Sequence, residues 1–259
     1  MDRRSFGEAC RVRSLCWGTM MVEYLTPHTT RTLARAGYDW LWLDGEHGHH
    51  SYESIQEVIR TAADVGVIAL LRVTQTDYGL IARALDLGAD GVIVPRVETP
   101  EQVREIIDYA KYPPVGRRGF GIRPSVYGDW SISMEERIED QNNNRFLFIQ
   151  LESRNAVNNV EAMLEEADGQ LDGVFMGPAD FLMDLGKPDD FGHPDLDRAT
   201  RHVSEMCEQF GIASGSLATS IDQARQWIDC GCNLIPFGFD DAFLSEAAKA
   251  ARRTLRTLE

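Results

Sequence analysis

VIALLRVTQTDYGLIARALDLGADGVIVPRV, residues 67–97, contains one complete strand–helix–strand unit. VIALLRV and GVIVPRV are short, continuous apolar runs, which are typical of strands buried on both faces of a parallel sheet. Between them, DYGLIARALDLG has a helical pattern and ends at a glycine, as many helices do. Two parallel strands joined through a helix require a right-handed crossover, so this unit predicts an α/β fold.

The same alternation recurs along the rest of the chain. Strand-like runs are SLCWGT, DWLWLD, RFLFIQLES, GVFMGP, IASGSLA and NLIPFGF, and helical patterns separate them. The result is eight strand–helix units in 259 residues, with no linker-like break. This organisation favours a single-domain (β/α)8 barrel spanning residues 1–259 over an open, doubly wound sheet. WGTMMVEYL follows the first strand where a dinucleotide-binding fold would carry GxGxxG, which argues against that alternative.

One long insertion, residues 120–144, interrupts the alternation before the fifth strand, and we expect a helix near residues 134–141 within it.

The composition and charge of the chain exclude several classes of protein. No apolar run approaches the roughly 20 residues that span a bilayer. The first 17 residues carry arginines but no apolar signal core, so we expect a cytoplasmic protein. The net charge of −15 argues against a nucleic-acid partner, because a polyanion would be repelled.

The cysteine pattern indicates neither a zinc site nor a disulfide framework. The five cysteines are odd in number and have no CxxC pair or zinc-finger spacing, so we expect reduced thiols. They are Cys10, Cys16, Cys207, Cys230 and Cys232.

Polar residues end several predicted strands, at the positions where barrel enzymes carry their chemistry. Glu152 and Asp180 follow neighbouring strands, so their carboxylates can point into a common space. Two carboxylates with water and substrate oxygens suit Mg²⁺ or Mn²⁺. The alternative is that both are solvated loop acids, which are common in so acidic a chain. The position at the barrel rim favours a metal site.

The turn after the second strand places Asp44 three residues before His47. A carboxylate beside an imidazole fixes its tautomer and keeps it basic near neutral pH, as a general base requires. The alternative is a loop histidine with a chance acidic neighbour, since His49 and His50 follow and are expected at the surface or at a helix start. A zinc site from these three histidines lacks the usual accompanying ligands.

Arg72 ends the apolar run VIALL, and an arginine there needs an anionic partner because it cannot lose its charge. That partner is a structural carboxylate such as Asp44, a substrate oxyanion, or both; Arg96 is a weaker candidate for the same role. Gly177, Pro178, Ala179 and Asp180 open a short helical segment whose N–H groups can bind a carboxylate, although glycine and proline are also ordinary turn residues.

Lysine placement separates two ways of activating a keto group. A Schiff-base enzyme needs a buried lysine on a strand. Lys111, Lys187 and Lys249 are the only lysines, and none of them ends a strand. The sequence therefore favours a metal-stabilised enolate over an iminium.

At these residues the chain resembles the HpcH/HpaI family of class II, pyruvate-dependent aldolases. The matching stretches cover nearly the whole chain in order, and they are WLDGEHGHHSYE, LLRV, LDLGADGVIVPRVET, AKYPPVGRRG, IQLESRNAVNN, DGVFMGPADF and SLATSIDQARQWIDCG. The resemblance implies a (β/α)8 barrel in a homo-oligomer, hexamer or trimer, whose last helix is exchanged between subunits. The segment GIRPSVYGDWSISMEERIEDQNNN departs from the family pattern and is expected to border the second-substrate pocket.

The resemblance also implies roles for individual residues. Glu152 and Asp180 would bind the divalent cation, Mg²⁺, Mn²⁺ or Co²⁺, and Arg72 would lie beside the pyruvate C2 oxygen. Asp44 and His47 would form the dyad that moves the methyl proton of pyruvate. Gln150 would lie beside the substrate, and the backbone of Gly177, Pro178 and Ala179 would hold the pyruvate carboxylate.

The function expected from the sequence is reversible retro-aldol cleavage of a 4-hydroxy-2-oxo acid to pyruvate and an aldehyde, through a metal-bound pyruvate enolate. Decarboxylation of oxaloacetate is an alternative that uses the same enolate. A barrel kept only for binding or assembly would be expected to lack Glu152, Asp180, Arg72 or His47, and all four are present. A lyase acting on CoA thioesters is disfavoured, because the acidic chain shows no basic track for CoA phosphates.

Overall fold

Eight parallel strands close into a barrel in the order in which they occur along the chain. This computed structural model describes residues 1–122 and 131–258. The strands are β1 (Cys16–Met21), β2 (Trp40–Asp44), β3 (Ile68–Arg72), β4 (Gly91–Val94), β5 (Phe146–Leu151), β6 (Gly173–Met176), β7 (Ala213–Ser216) and β8 (Leu234–Phe239). Closure comes from the pairing of β1 with β8, where Cys16 lies opposite Leu234. The predicted (β/α)8 barrel is confirmed.

Helices follow the strands and surround the barrel. In the described part of the chain they are α1 (Arg3–Arg11), α2 (Pro27–Arg35), α3 (Tyr52–Val65), α4 (Tyr78–Asp86), α5 (Pro100–Ala110), α6 (Met134–Asn143), α7 (Arg154–Asn158), α8 (Val160–Ala167), α9 (Pro178–Asp184), α10 (Pro194–Gln209), α11 (Ile221–Asp229) and α12 (Asp240–Leu255), with a final 3₁₀ turn at Arg256–Leu258. The helix expected near residues 134–141 is confirmed as α6. Residues 123–130 of the expected insertion lie outside the described part.

Short polar side chains determine where most of these helices begin. Asp77 accepts the backbone N–H of Leu80 at the start of α4. Thr99 forms a capping box with Gln102 at the start of α5. Such caps satisfy N–H groups that have no partner within the helix. They make each strand-to-helix turn short and defined, which fixes the polar residues that the turns carry.

The apolar core has two layers. The larger layer lies between the strands and the surrounding helices. The smaller one fills the barrel interior with large aromatic rings, among them Trp40, Phe148 and Phe175. Helix α1, which the sequence pattern did not predict, closes the end of the barrel where the strands begin. Its Phe6 is fully buried and meets Phe146 edge to face at 5.0 Å between ring centroids.

All five cysteines are free thiols with buried side chains. Burial raises the pKa of every one of them, to about 11 for Cys16 and about 12 for Cys207 and Cys232. Within residues 1–122 and 131–258, no helix has the length and apolar content needed to cross a bilayer.

Candidate active site

The strands' carboxyl ends surround a cavity of about 470 Å³. The cavity is lined by both polar and apolar residues, and Met20, Phe191, Leu217 and Phe239 contribute apolar surface. All nine residues that the sequence predicts for the site border this single cavity: Asp44, His47, Arg72, Gln150, Glu152, Gly177, Pro178, Ala179 and Asp180. The barrel therefore brings together side chains that lie up to 136 positions apart in the sequence.

Arg72 is held in a fixed orientation by Asp44. The strand register places the two residues directly opposite each other on β2 and β3. Arg72 donates from Nε to Asp44 Oδ1 at 2.9 Å and from Nη2 to Asp44 Oδ2 at 2.8 Å. Both side chains are buried, with only 6% of the Arg72 side chain exposed. Such a two-point contact fixes the guanidinium plane and directs its third nitrogen elsewhere.

That third nitrogen, Nη1, lies 3.4 Å from Gln150 Oε1 and 3.0 Å from Glu46 Oε2. The sequence pattern alone indicates no role for Glu46. Its Oε2 is buried and accepts no hydrogen bond from any residue that the structure describes. The signal that could have identified it is its place in the strand-end turn Asp44–His47, where it adds a third acid to Glu152 and Asp180.

The structure differs from the sequence in how it arranges Asp44 and His47. Asp44 accepts the backbone N–H groups of Glu46 and His47, at 3.0 and 3.5 Å, rather than the His47 ring. The ring is largely exposed, and its Nε2 lies 3.8 Å from Glu46 Oε2. The expected side-chain contact is wrong because Asp44 ends β2 and faces Arg72. His49 is exposed, and His50 contacts the carbonyl of Val22 at 2.7 Å.

Glu152 follows β5 and Asp180 lies in the first turn of α9. Glu152 Oε2 accepts the backbone N–H of Arg96 at 3.0 Å. Burial raises the pKa of Glu152 to about 7, together with the negative charges of Asp180 and Glu46; Arg72 and Arg96 oppose this shift. The site thus holds more negative charge than its arginines compensate.

This donor set fits a divalent cation. A raised carboxyl pKa beside other acids indicates excess negative charge that a cation would neutralise. In the described residues, no three side chains of His, Cys, Asp or Glu form a ready-made coordination shell. Mg²⁺ is nevertheless commonly held by one or two carboxylates, with water and substrate supplying the other oxygens. Glu152 and Asp180 match that mode of binding.

Gly177, between β6 and α9, permits close approach at the centre of the site. A Cβ atom at this position would lie 2.7 Å from Glu152 Cγ and 2.9 Å from Gln150 Nε2. No described side chain caps α9, and Pro178 occupies its first turn. The backbone of Gly177, Pro178 and Ala179 therefore borders the cavity directly, next to Glu152.

Comparisons with known proteins agree with this arrangement. The family model described as HpcH/HpaI aldolase/citrate lyase matches residues 19–247. The 2-keto-3-deoxy-L-rhamnonate aldolase of Klebsiella pneumoniae is 36% identical over 83% of this chain and 79% of its own length. The enzyme of the same name from Escherichia coli K12 is 33% identical over 86% and 82%. These names agree with the predicted aldolase class.

A solved structure supports the same relationship. The crystal structure of an HpcH/HpaI aldolase from Desulfitobacterium hafniense superposes on the protein with a TM-score of 0.87. The two sequences are 28% identical, and the superposition covers 95% of this chain and 94% of that chain. By its sequence and by its barrel, the chain belongs to the HpcH/HpaI aldolase/citrate lyase family.

Proposed function

We propose that the protein is a class II aldolase, a carbon–carbon lyase that cleaves a 4-hydroxy-2-oxo acid of the 2-keto-3-deoxy type to pyruvate and an aldehyde. The observation that carries this proposal is the convergence of Glu152, Asp180 and Arg72 on one cavity at the carboxyl ends of the strands. Family membership supports it, as do two relatives named for a 2-keto-3-deoxy acid.

Glu152 and Asp180 are the residues that would hold a divalent cation, Mg²⁺, Mn²⁺ or Co²⁺. When bound, the cation supplies Lewis acidity toward the keto group of the substrate. The protein contributes a pocket lined by acids, in which Glu152 is buried and has its pKa raised to about 7.

Arg72 would stabilise the negative charge that develops on the C2 oxygen during cleavage. Its guanidinium is buried and fixed by Asp44, so no reorganisation is needed when the charge appears. Gln150, which lies beside Arg72 Nη1, would orient the same end of the substrate. The backbone of Gly177, Pro178 and Ala179 would receive the substrate carboxylate.

His47 would move the proton. In cleavage, the C4 hydroxyl gives up its proton, the C3–C4 bond breaks, and the aldehyde leaves. The electron pair remains on the three-carbon fragment, which then takes up a proton at C3 to give the methyl group of pyruvate. An exposed imidazole at the cavity wall can exchange protons with both the substrate and solvent. Asp44 would act indirectly, through the backbone of His47 and through Arg72.

The test uses protein stripped of metal and then supplied with Mg²⁺, Mn²⁺, Co²⁺ or Zn²⁺. Several 4-hydroxy-2-oxo acids and oxaloacetate are offered separately, and pyruvate release is followed with a coupled dehydrogenase. We expect metal-dependent release from the hydroxy acids. Glu152→Gln should abolish it, whereas Asp222→Asn, at an exposed acid on α11, should not. Activity that survives chelation, or turnover of oxaloacetate alone, would contradict the proposal.

The proposal includes a homo-oligomer, hexamer or trimer, in which α12 packs on a neighbouring subunit. Asp240, the first residue of α12, is its only buried residue. Leu244 and Leu255 are exposed on α12, and Leu258 just beyond it is 81% exposed. Apolar side chains presented in this way by a 16-residue helix support a partner surface. The cytoplasmic location stays a prediction from the sequence.

A further inference from the structure

Arg96 directly follows Pro95 at the end of β4 and has an unusual backbone. Its φ of +56° lies in the left-handed region, which residues other than glycine seldom adopt. Strain of this kind persists only where the surroundings hold it, and it is frequent at functional sites. The backbone N–H of Arg96 donates to Glu152 Oε2 at 3.0 Å. The strained conformation is therefore tied directly to one of the two proposed cation ligands.

The side chain of Arg96 lies between two other acids of the site. Its Nε is 3.5 Å from Glu46 Oε1, and its Nη2 is 3.6 Å from Asp180 Oδ1. Charged hydrogen bonds are shorter, about 2.7–2.9 Å. The guanidinium thus neutralises Glu46 and Asp180 by proximity and is not locked to either of them.

Arg96 and Arg72 differ in how firmly they are held. The Arg72 side chain is 6% exposed and makes two hydrogen bonds to Asp44. The Arg96 side chain is 63% exposed, and its only ion pairs with described residues are these two long ones. Among those residues, moving the Arg96 guanidinium breaks no short hydrogen bond of its side chain, whereas moving that of Arg72 leaves a buried Asp44 uncompensated.

The Arg96 guanidinium borders a second cavity into which it can move. This cavity of about 220 Å³ adjoins the site and shares Glu152 and Asp180 with the main cavity. Arg96 borders this side cavity, and so do two further acids, Glu98 and Asp184. Asp184 is already paired with Arg154 at 2.9 Å, whereas Glu98 has no ion pair with any described residue. A guanidinium that moves from between Glu46 and Asp180 toward Glu98 therefore remains beside a negative charge.

We propose that Arg96 is a tethered counter-ion of the carboxylate site. While no divalent cation is bound, its guanidinium neutralises Asp180 and Glu46; when the cation binds, the guanidinium moves into the side cavity. Arg96 is then a positioning residue that lowers the affinity for the cation, because the cation must displace it. This inference rests on the proposed function in taking Glu152 and Asp180 as the cation ligands.

The experiment is a direct Mn²⁺ titration of metal-stripped protein, with free Mn²⁺ measured by electron paramagnetic resonance. Arg96→Met removes the charge, Arg96→Lys keeps it, and Arg11→Met is the control. Arg11 lies on α1 at the other end of the barrel. Its side chain is 64% exposed, close to the 63% of Arg96. We expect Arg96→Met to bind Mn²⁺ roughly tenfold more tightly, from the loss of one nearby positive charge. The other two variants should stay within about twofold of the wild type.

A second variant without the charge serves as a check that the result for Arg96→Met does not come from misfolding. Arg96→Gly accepts a φ of +56° without strain and also lacks the charge, so it should match Arg96→Met in affinity. Wild-type affinity in both of these variants, or tighter binding by Arg96→Lys as well, overturns the counter-ion role alone. If the wild type and every variant bind no Mn²⁺, the ligand assignment under the proposed function fails, and the counter-ion role fails with it.

Discussion

Two arginines bring the same charge into one group of acids, and their surroundings give them different properties. Arg72 is buried against Asp44, so its position is set by the fold. Arg96 is exposed and loosely paired, so its position depends on what else occupies the site. Breaking a buried ion pair by removing one partner costs about 3–5 kcal/mol, whereas exposed pairs contribute about 0–1 kcal/mol. Replacement of Arg72 is thus a stability change as well as a functional one.

His47 provides a test of proton transfer. His47→Ala should lower kcat by roughly 10²–10⁴-fold, the usual contribution of a positioned acid–base group. Its exposed ring makes few contacts, so the melting temperature should hardly change. Mn²⁺ affinity should be unchanged, since the proposed cation ligands are Glu152 and Asp180. Equal losses of turnover and of Mn²⁺ affinity would instead place His47 at the cation.

The raised pKa of Glu152 predicts how cation binding depends on pH. Its pKa in the fold is about 7, above the ordinary 4.5, so the carboxyl holds its proton to higher pH than it does in the unfolded chain. The stability contributed by that proton is lost as pH rises through about 7. A cation must displace the same proton, so Mn²⁺ affinity should weaken about tenfold per pH unit well below pH 7 and level off above about pH 8.

Calorimetric titration at several pH values, in buffers of different ionisation enthalpy, measures both the affinity and the protons released. The wild type should release up to one proton per Mn²⁺ near pH 6. In Glu152→Gln the pH dependence should disappear along with most of the affinity. An unchanged slope in that variant would mean that another group titrates.

The sequence predicts the identity of the site residues better than their contacts. Strand ends were enough to bring Asp44, Arg72 and Glu152 to one rim, because parallel strands in a barrel all end on the same side. Spacing along the chain was not enough to pair Asp44 with His47. That pairing depends on the register between β2 and β3, which places Asp44 opposite Arg72.

At the scale of elements, helix α1 fills a position that the eight-fold pattern does not specify. Its segment, RRSFGEACR, has few apolar residues, and the ones it has are buried under the barrel. Arg13, just beyond the helix, donates to the carbonyls of Ile212 and Gly231 at 2.6 and 2.7 Å. These contacts are made with residues about 200 positions away in the sequence, so no local sequence pattern predicts them.

Phe6→Ala tests whether α1 acts as the floor of the barrel. Removing a fully buried aromatic ring typically costs about 3–5 kcal/mol, and here Phe6 packs on three aromatic rings. Denaturant unfolding should show that loss. Val12→Ala, at an exposed side chain just after the same helix, should change stability by about 0.5 kcal/mol or less. Similar small effects for both variants would mean that α1 is dispensable.

Element boundaries were predicted less well than element types. The first strand was expected at residues 14–19 and spans Cys16–Met21, because Met20 and Met21 are also buried. The helical segment that follows β5 is divided into α7 and α8 at Asn159. There, the side chain of Asn159 donates to the carbonyl of Glu98 at 2.9 Å. Helix propensity, which is a local property of the sequence, does not predict this tertiary contact.

At the scale of the whole molecule, the first turn of α12 is held against the barrel and the rest of the helix extends away from it. Asp240 accepts the backbone N–H of Tyr24 at 2.7 Å, and Phe243 stacks on Tyr38. Beyond Phe243, every residue of α12 is exposed. A chain that lacks residues 244–259 should therefore keep its barrel.

Truncation after Phe243 should leave the far-ultraviolet circular dichroism largely intact while it reduces the proposed oligomer to an assembly of fewer subunits. Light scattering coupled to size-exclusion chromatography gives the mass of both forms. Ser245→Ala, an exposed change on the same helix, is the control and should leave the assembly unchanged. If the full and truncated proteins contain the same number of subunits, α12 does not form the subunit interface.

The buried thiols have a practical consequence for labelling. All five native cysteines are inaccessible, and the raised pKa keeps them out of the reactive thiolate form. A cysteine introduced at an exposed position away from α12, such as Asp222 on α11, would be the preferred target for a maleimide dye or a spin label. Distance measurements on this barrel can therefore begin from the natural chain, without first removing its own sulfhydryl groups.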